Sequence, residues 1–239
     1  MTTLYIFPHP DDESFGPAPV MYRQIKNGEE VHLLTLTKGG ATKMRFKYNL
    51  SIAQMGEVRY KEMLAVQKVL GLTSMTVLDY EDGGMAHLDP REFEILILSY
   101  IEKIKPNIIV TYPIHGISGH HDHLTCHAVV KRLFCMLKDN PDYDFLKRLA
   151  FLTLPNLNEN SEDGGNANVH STKKQYIDCI VKLTDEEQNK LKEALYCYET
   201  FIEVIQQTNV IKHIGDKVHF EFFNENFDEV VSDLDVGLS

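Results

Sequence analysis

Along the first two-thirds of the chain, short apolar runs alternate with longer segments whose apolar positions recur at helical spacing. TLYIF (3–7), EVHLLTLT (30–37), SMTVLDY (74–80) and NIIVTYP (107–113) are rich in β-branched and aromatic residues and read as strands. Between them lie PAPVMYRQIKNG (17–28), VRYKEMLAVQKVLG (58–71) and PREFEILILSYIEKIKP (90–106). In the second of these, Val58, Met63, Val66, Val69 and Leu70 recur near the helical period and Gly71 is a stop; proline opens and closes the third. This rhythm predicts an α/β fold, a Rossmann-like, mostly parallel sheet with helices on both faces. Ligands in such sheets bind beyond the carboxyl ends of the strands, where the strand order reverses. With the common order 3-2-1-4, strands 1 and 4 are neighbours at that point, so the segments after Phe7 and Tyr112 should meet.

Beyond Asn140 the pattern weakens. RLAFLTL (148–154), KQYIDCIVKL (174–183) and KVHFEFF (217–223) read as strands, and NLNENSEDGGNANVHST (156–172) reads as a polar loop. A helix should start at the N-cap Thr184, with Glu187 three residues later, and run to about Gln207. The acidic tail is expected to be ordered only where Phe227, Val230 and Val231 dock. We expect one domain over 1–239, with 1–140 as the core and 141–239 completing the fold.

Composition narrows the partners. The chain has 239 residues, 35 acids against 24 bases and a formal charge of −11, which opposes binding to nucleic acid or an anionic membrane surface. No apolar stretch approaches the ~20 residues of a membrane helix, and MTTLYIFPHPDDE lacks the marks of a signal peptide, so a cytoplasmic address is expected. The four cysteines form no CxxC pair and lie in apolar patterns, so they read as reduced and mostly buried. A small-molecule partner fits this balance.

The chemistry sits in two clusters. PHPDDE (8–13) follows the first strand directly, and five of the eleven histidines, His115, His120, His121, His123 and His127, fall within thirteen residues. His9, one acid from Asp11 or Asp12, and one later histidine make a two-histidine, one-carboxylate set of the kind that holds catalytic zinc with an open position. The other acid is then free to act as a base for hydrolysis of a carbonyl compound. Iron(II) also suits such a set. No GxSxG is present, TKGG lacks the spacing of a phosphate loop, and Cys126 reads as core.

These residues resemble the PIG-L or LmbE-like family of zinc-dependent N-acetylglucosaminyl deacetylases, marked by (P/A)HPDD(E) after the first strand and a later GHxDH. The likeness extends over roughly residues 3–135, including LLTLTKGG, the RYKE helix and the acid of DYEDGG. It implies one Zn2+ per chain, held by His9, Asp12 and His123, with Asp11 as general base and His120 as electrostatic catalyst or acid. Arg59 and Asp82 match positions that the family uses around its sugar; alternatively, Arg59 pairs with Glu57 or Glu62 and Asp82 shapes a turn. The implied substrate is a small amino-sugar conjugate, and a homo-oligomer is compatible. The chain departs from the pattern at His121, where proline is usual, and at Ser118, where several members have tyrosine. The late AHxSQ pattern is matched only loosely, with Tyr198 and Phe201 at the histidine and glutamine positions. The competing expectation is a catalytically idle homologue that binds metal or sugar. Lys43, Arg45 and Lys47 form a small basic run that reads as a solvated loop or an anion-attracting one.

Overall fold

The computed structural model describes residues 1–155 and 169–238; most of the loop expected at 156–172 lies outside them. Strands β1 (Thr2–Phe7), β2 (Glu30–Thr37), β3 (Ser74–Tyr80), β4 (Ile108–Thr111) and β5 (Arg148–Thr153) run parallel, and β6 (Cys179–Lys182) and β7 (Lys217–Phe222) close the sheet antiparallel. The helices are α1 (Ala18–Lys26), α2 (Met44–Lys47), α3 (Ile52–Leu70), α4 (Pro90–Ile104), α5 (His121–Leu137), α6 (Asp185–Tyr196), α7 (Ile202–Thr208) and α8 (Val210–Ile214). The sheet order is β3-β2-β1-β4-β5-β7-β6, so the expected 3-2-1-4 order is present and β1 and β4 are neighbours, with Tyr5 opposite Val110.

Strand alternation divides the core in two. Tyr5 and Phe7 of β1 point into one apolar layer with residues of α1, α3 and α6, whereas Leu4 and Ile6 point into the other with α4 and α5. Nearly every residue of β1, β4 and β5 is buried, as a sheet covered on both faces requires.

The boundaries differ from expectation in three places. Helix α3 starts at Ile52 rather than near Val58, because Ser51 and Gln54 form a reciprocal capping box. Its buried face is Met55, Arg59, Glu62, Met63, Val66 and Leu70; Val58 and Val69 lie at its margin. Only Cys179–Lys182 of the expected 174–183 strand pairs in the sheet. The expected long helix breaks after Tyr196, where Tyr198 and Thr200 turn inward to bond Glu13 and Glu62; two short helices follow. Of the cysteines, Cys126 and Cys179 are buried, Cys197 is half-buried and Cys135 is exposed.

The tail is anchored by a residue that patterning did not single out. Arg148, 1% exposed, donates from Nε and Nη2 to Glu225 at 2.8 and 2.6 Å, and to the carbonyls of Leu234 and Val236. Its guanidinium lies 4.1 Å from the centre of the Phe222 ring. Leu234 is fully buried, whereas Val230, expected to dock, is 50% exposed. Arg148→Ala strips the partner from Glu225 and from two carbonyls. It is expected to lower unfolding free energy by about 3 kcal/mol in urea titration, with cleavage by trace protease moving to residues 225–238.

Candidate metal and catalytic site

The PHPDDE turn begins where β1 ends. The carbonyl of Pro8 accepts from the Thr37 amide and hydroxyl of β2, both at 2.9 Å, and the His9 amide donates to Asp12 Oδ2 at 2.8 Å. Asp11 has φ +80°, a left-handed conformation that costs a non-glycine residue roughly 1–3 kcal/mol. Its carbonyl collects the amides of Ser14 and Phe15, each at 2.8 Å. Asp11 and Asp12 therefore face different groups because the chain turns at Asp11; the segment is not extended.

The second cluster follows β4. His123, in the first turn of α5, donates from Nδ1 to the Gly116 carbonyl at 2.8 Å, which leaves Nε2 as a bare acceptor. Gly116, at φ +61°, permits this approach, since a Cβ there would stand 2.8 Å from that of His123. His9 points Nε2 at Asp122 (3.1 Å) and Asp82 (3.3 Å), so its proton belongs there and Nδ1 is free. The two free nitrogens are 3.2 Å apart, and Asp12 oxygens lie 3.7 Å from His9 Nδ1 and 3.5 Å from His123 Nε2. Ligands held at ~2.0–2.2 Å by a tetrahedral ion stand about 3.4 Å apart. The donor spacing fits zinc, and the two nitrogens beside a carboxylate can share one cation, a proton or a metal ion, between them.

Hydrogen bonds fix each of these donors. Tyr112 donates to Asp12 Oδ1 at 2.6 Å and stacks its ring on His123 at 4.0 Å and 9°. Asp122, buried, accepts from the amides of Gly83 (2.8 Å) and Met85 (3.2 Å) as well as facing His9. Asp82 accepts from the Ala41 amide at 2.8 Å. Burial works against charge on His9, but bonds to Asp122 and Asp82 and the charge of Asp12 outweigh it and raise its pKa to about 10. These carboxylates favour positive charge at the ring, whether proton or metal.

Asp11 is braced from the other side. Arg59, 3% exposed, donates from Nη2 to Asp11 Oδ2 (2.6 Å) and the Pro10 carbonyl (2.8 Å), and from Nη1 to the Gly39 carbonyl (3.1 Å). Its guanidinium sits 4.0 Å from the centre of the Phe201 ring. Gly39, at φ +62°, leaves the room that Arg59 occupies. Arg59 therefore pairs with neither Glu57 nor Glu62: Glu57 takes Lys38, and Glu62 accepts from the Thr200 amide and hydroxyl. Burial raises Asp11 to about 6 against the opposing pull of Arg59. Among the described residues, Asp11 Oδ1 makes no hydrogen bond. Behind this pair, Glu13 and Tyr198 are both fully buried, with the tyrosine hydroxyl donating to Glu13 at 2.7 Å.

The remaining histidines separate. His120 is the N-cap of α5: its Nδ1 accepts the Asp122 amide at 3.2 Å, so the proton sits on Nε2. Its exposed ring stands edge-on to His9, 4.7 Å between centres, and a ring nitrogen lies within 4.8 Å of nitrogens of His9 and His123. Burial and the charges of His9 and His123 lower its pKa, so it is neutral near pH 7. Asp82 and Asp122 make a second grouping with His9. His115 bonds the Ile117 amide and Thr172, His127 donates to the Tyr112 carbonyl, and His121 is exposed. Cys126 lies in the apolar core. Residue patterning missed Tyr112, Asp122, Glu13, Tyr198 and Phe201. Asp122 had a signal, since an acid inside a metal motif is placed to orient a ligand, here His9; for Tyr198 and Phe201 the only signal was their place in the loosely matched late pattern.

The chain is 29% identical over 152 residues to a 1D-myo-inositol 2-acetamido-2-deoxy-alpha-D-glucopyranoside deacetylase of Salinispora arenicola, covering 55% of this chain and 49% of that protein. It is 29% identical over 136 residues to the N-acetylglucosaminyl-phosphatidylinositol de-N-acetylase of Bos taurus, covering 55% and 49%. The chain thus spans about half the length of these relatives. In three dimensions it is similar to the zinc-inhibited form of teicoplanin deacetylase Orf2, with TM-score 0.70, 14% identity and coverage of 96% of this chain and 100% of that one, a likeness of fold. No helix among the described residues is long and apolar enough to cross a membrane. The family model for PIG-L, GlcNAc-PI de-N-acetylase, matches residues 4–134, more than half of the sequence, and the chain belongs to that family.

Proposed function

We propose that the protein is a zinc-dependent hydrolase that removes the N-acetyl group from a glucosamine-containing small molecule. The observation that carries this reading is the convergence of His9 Nδ1, His123 Nε2 and Asp12 within 3.2–3.7 Å, beside an acid with one oxygen anchored and one free. In this reading His9, Asp12 and His123 hold the metal. Bound there, zinc would act as a Lewis acid and lower the pKa of water toward ~7. Asp11 takes the proton as water oxygen bonds to the acetyl carbon, and the carbonyl π electrons move to oxygen. His120, keeping its proton, donates a hydrogen bond from Nε2–H to that oxygen. The C–N bond then breaks, Asp11 returns the proton to the leaving nitrogen, and acetate and a free amine remain.

Of the two residues expected at the sugar, Asp82 keeps that role as a hydroxyl acceptor at the rim, its side chain 13% exposed. Arg59 acts through Asp11, which it anchors. The partner is a small amino-sugar conjugate, as the names of the relatives suggest. We place the protein in the cytoplasm, where its free thiols would stay reduced.

Asp11→Asn is expected to keep one zinc per chain and lose about 10²–10⁴-fold in acetate release from N-acetylglucosamine conjugates. His123→Ala should instead lose the metal, read by elemental analysis. Equal activity in wild type and Asp11→Asn would sink the general-base assignment. Chelation should abolish release and zinc restore it; restoration by iron(II) alone would change the metal. Arg59→Met should retain zinc but lower kcat by at least about tenfold with little change in KM, because it frees Asp11 without removing a substrate contact.

A further inference from the structure

An open pocket of about 300 Å³ lies beside α5, over β5 and β7. This is near the lower end of the range for small-molecule sites, roughly 300–1,000 Å³. His127, Lys131, Phe151, Tyr176, Glu221 and Phe223 line it, and none of them belongs to the metal-site constellation.

His127 is 6% exposed and donates from Nδ1 to the Tyr112 carbonyl at 2.9 Å, so Nε2 is left as an acceptor. Among the described residues that nitrogen has no hydrogen-bond partner, on a side chain more than nine-tenths buried that lines the pocket. Burial lowers the pKa of the ring and keeps it neutral. Glu221, already accepting from Thr172 at 2.6 Å, and Asp178 add carboxylate acceptors. Lys131 is the cation in this lining; its Nζ lies 4.7 Å from the centre of the Phe223 ring and has no ion-pair partner among the described residues. Phe151 packs against His127 at 4.8 Å and edge-on to Phe223 at 6.3 Å, while Tyr176, 55% exposed, stands at the rim.

This lining selects a ligand class. Three carboxylates line the pocket, of which Glu225 is paired with Arg148; Glu221 and Asp178 disfavour an anion, and a purely apolar ligand would leave the acceptors unpaired. A polyol ring satisfies both demands, with hydroxyl donors for His127, Glu221 and Asp178 and a C–H face for the aromatic rings. His127 stands one helical turn, about 6 Å, beyond His123, and its bond to Tyr112 places the backbone at the end of β4 between the pocket and the metal ligands. We infer that this pocket is a second carbohydrate site, which takes a neutral hexopyranoside unit independently of the deacetylation site.

Cellobiose has no acetamido group and tests the pocket without turnover. Calorimetric titration of the full-length protein should show saturable millimolar binding, weakened about tenfold in Tyr176→Ala. Tyr176 is exposed, so the fold should survive, and acetate release from N-acetylglucosamine should not change. Glucuronic acid should bind more weakly than glucose. Absence of saturable cellobiose binding to the wild type, or equal affinity in Tyr176→Ala, would overturn the assignment. Because the readout is binding, it stands or falls separately from the deacetylase reading.

Discussion

The parallel pairing of β1 with β4 is the constraint on which the site depends. It sets Tyr5 opposite Val110, so a turn that begins at Pro8 and a loop that begins at Tyr112 leave the same edge of the sheet side by side. Both strands are buried on both faces, and slipping β1 by one residue would exchange Tyr5 and Phe7 with Leu4 and Ile6 between two differently shaped apolar layers. The register that packs the core therefore also fixes the spacing of His9, Asp12 and His123. His123 is more than a hundred positions from His9 and Asp12 in sequence, yet its Nε2 lies 3.2 Å from His9 Nδ1 and 3.5 Å from an Asp12 oxygen.

Around that pairing, hydrogen bonds decide what each polar atom can do. The Gly116 carbonyl fixes the proton of His123, Asp122 and Asp82 fix that of His9, and Tyr112 holds Asp12 from behind. Three tautomer and rotamer choices thus point toward one centre, the preorganisation that the proposed metal site would need. The strained turn at Asp11 has its own support in Arg59, which bonds the carboxylate and the carbonyl before it while its flat face rests on Phe201. The backing of Arg59 comes from the C-terminal third of the chain, where family motifs are weakest. Tyr198, Thr200 and Phe201 reach Glu13, Glu62 and Arg59 in turn.

Much of this was legible in the sequence, and the limits are physical. Strand alternation pointed to the sheet, because apolar period and turn chemistry are local signals; the meeting of the two segments followed only on the common strand order, which the structure has. The residue types of PHPDDE and GHHDH suggested a metal set before any coordinates. Tyr112 could not be distinguished from an ordinary buried strand residue, since its importance lies in a hydroxyl bonded a hundred positions away. The break after Tyr196 was hidden for the same reason: helical propensity continues through Tyr198 to Gln207, but the bonds to Glu13 and Glu62 pull the chain inward. Arg59 was expected at the sugar and is instead enclosed, because the acid that turns toward it is on another element.

Two histidine-centred groupings share His9, one through Nδ1 with Asp12 and His123, the other through Nε2 with Asp82 and Asp122. Anomalous diffraction at the zinc edge from crystals of the zinc-loaded protein separates them. An ion within about 2.2 Å of His9 Nδ1, His123 Nε2 and an Asp12 oxygen, with Asp11 beside an open coordination position, is the predicted result. An ion on His9 Nε2 between Asp82 and Asp122, with Asp12 and His123 unligated, would contradict it.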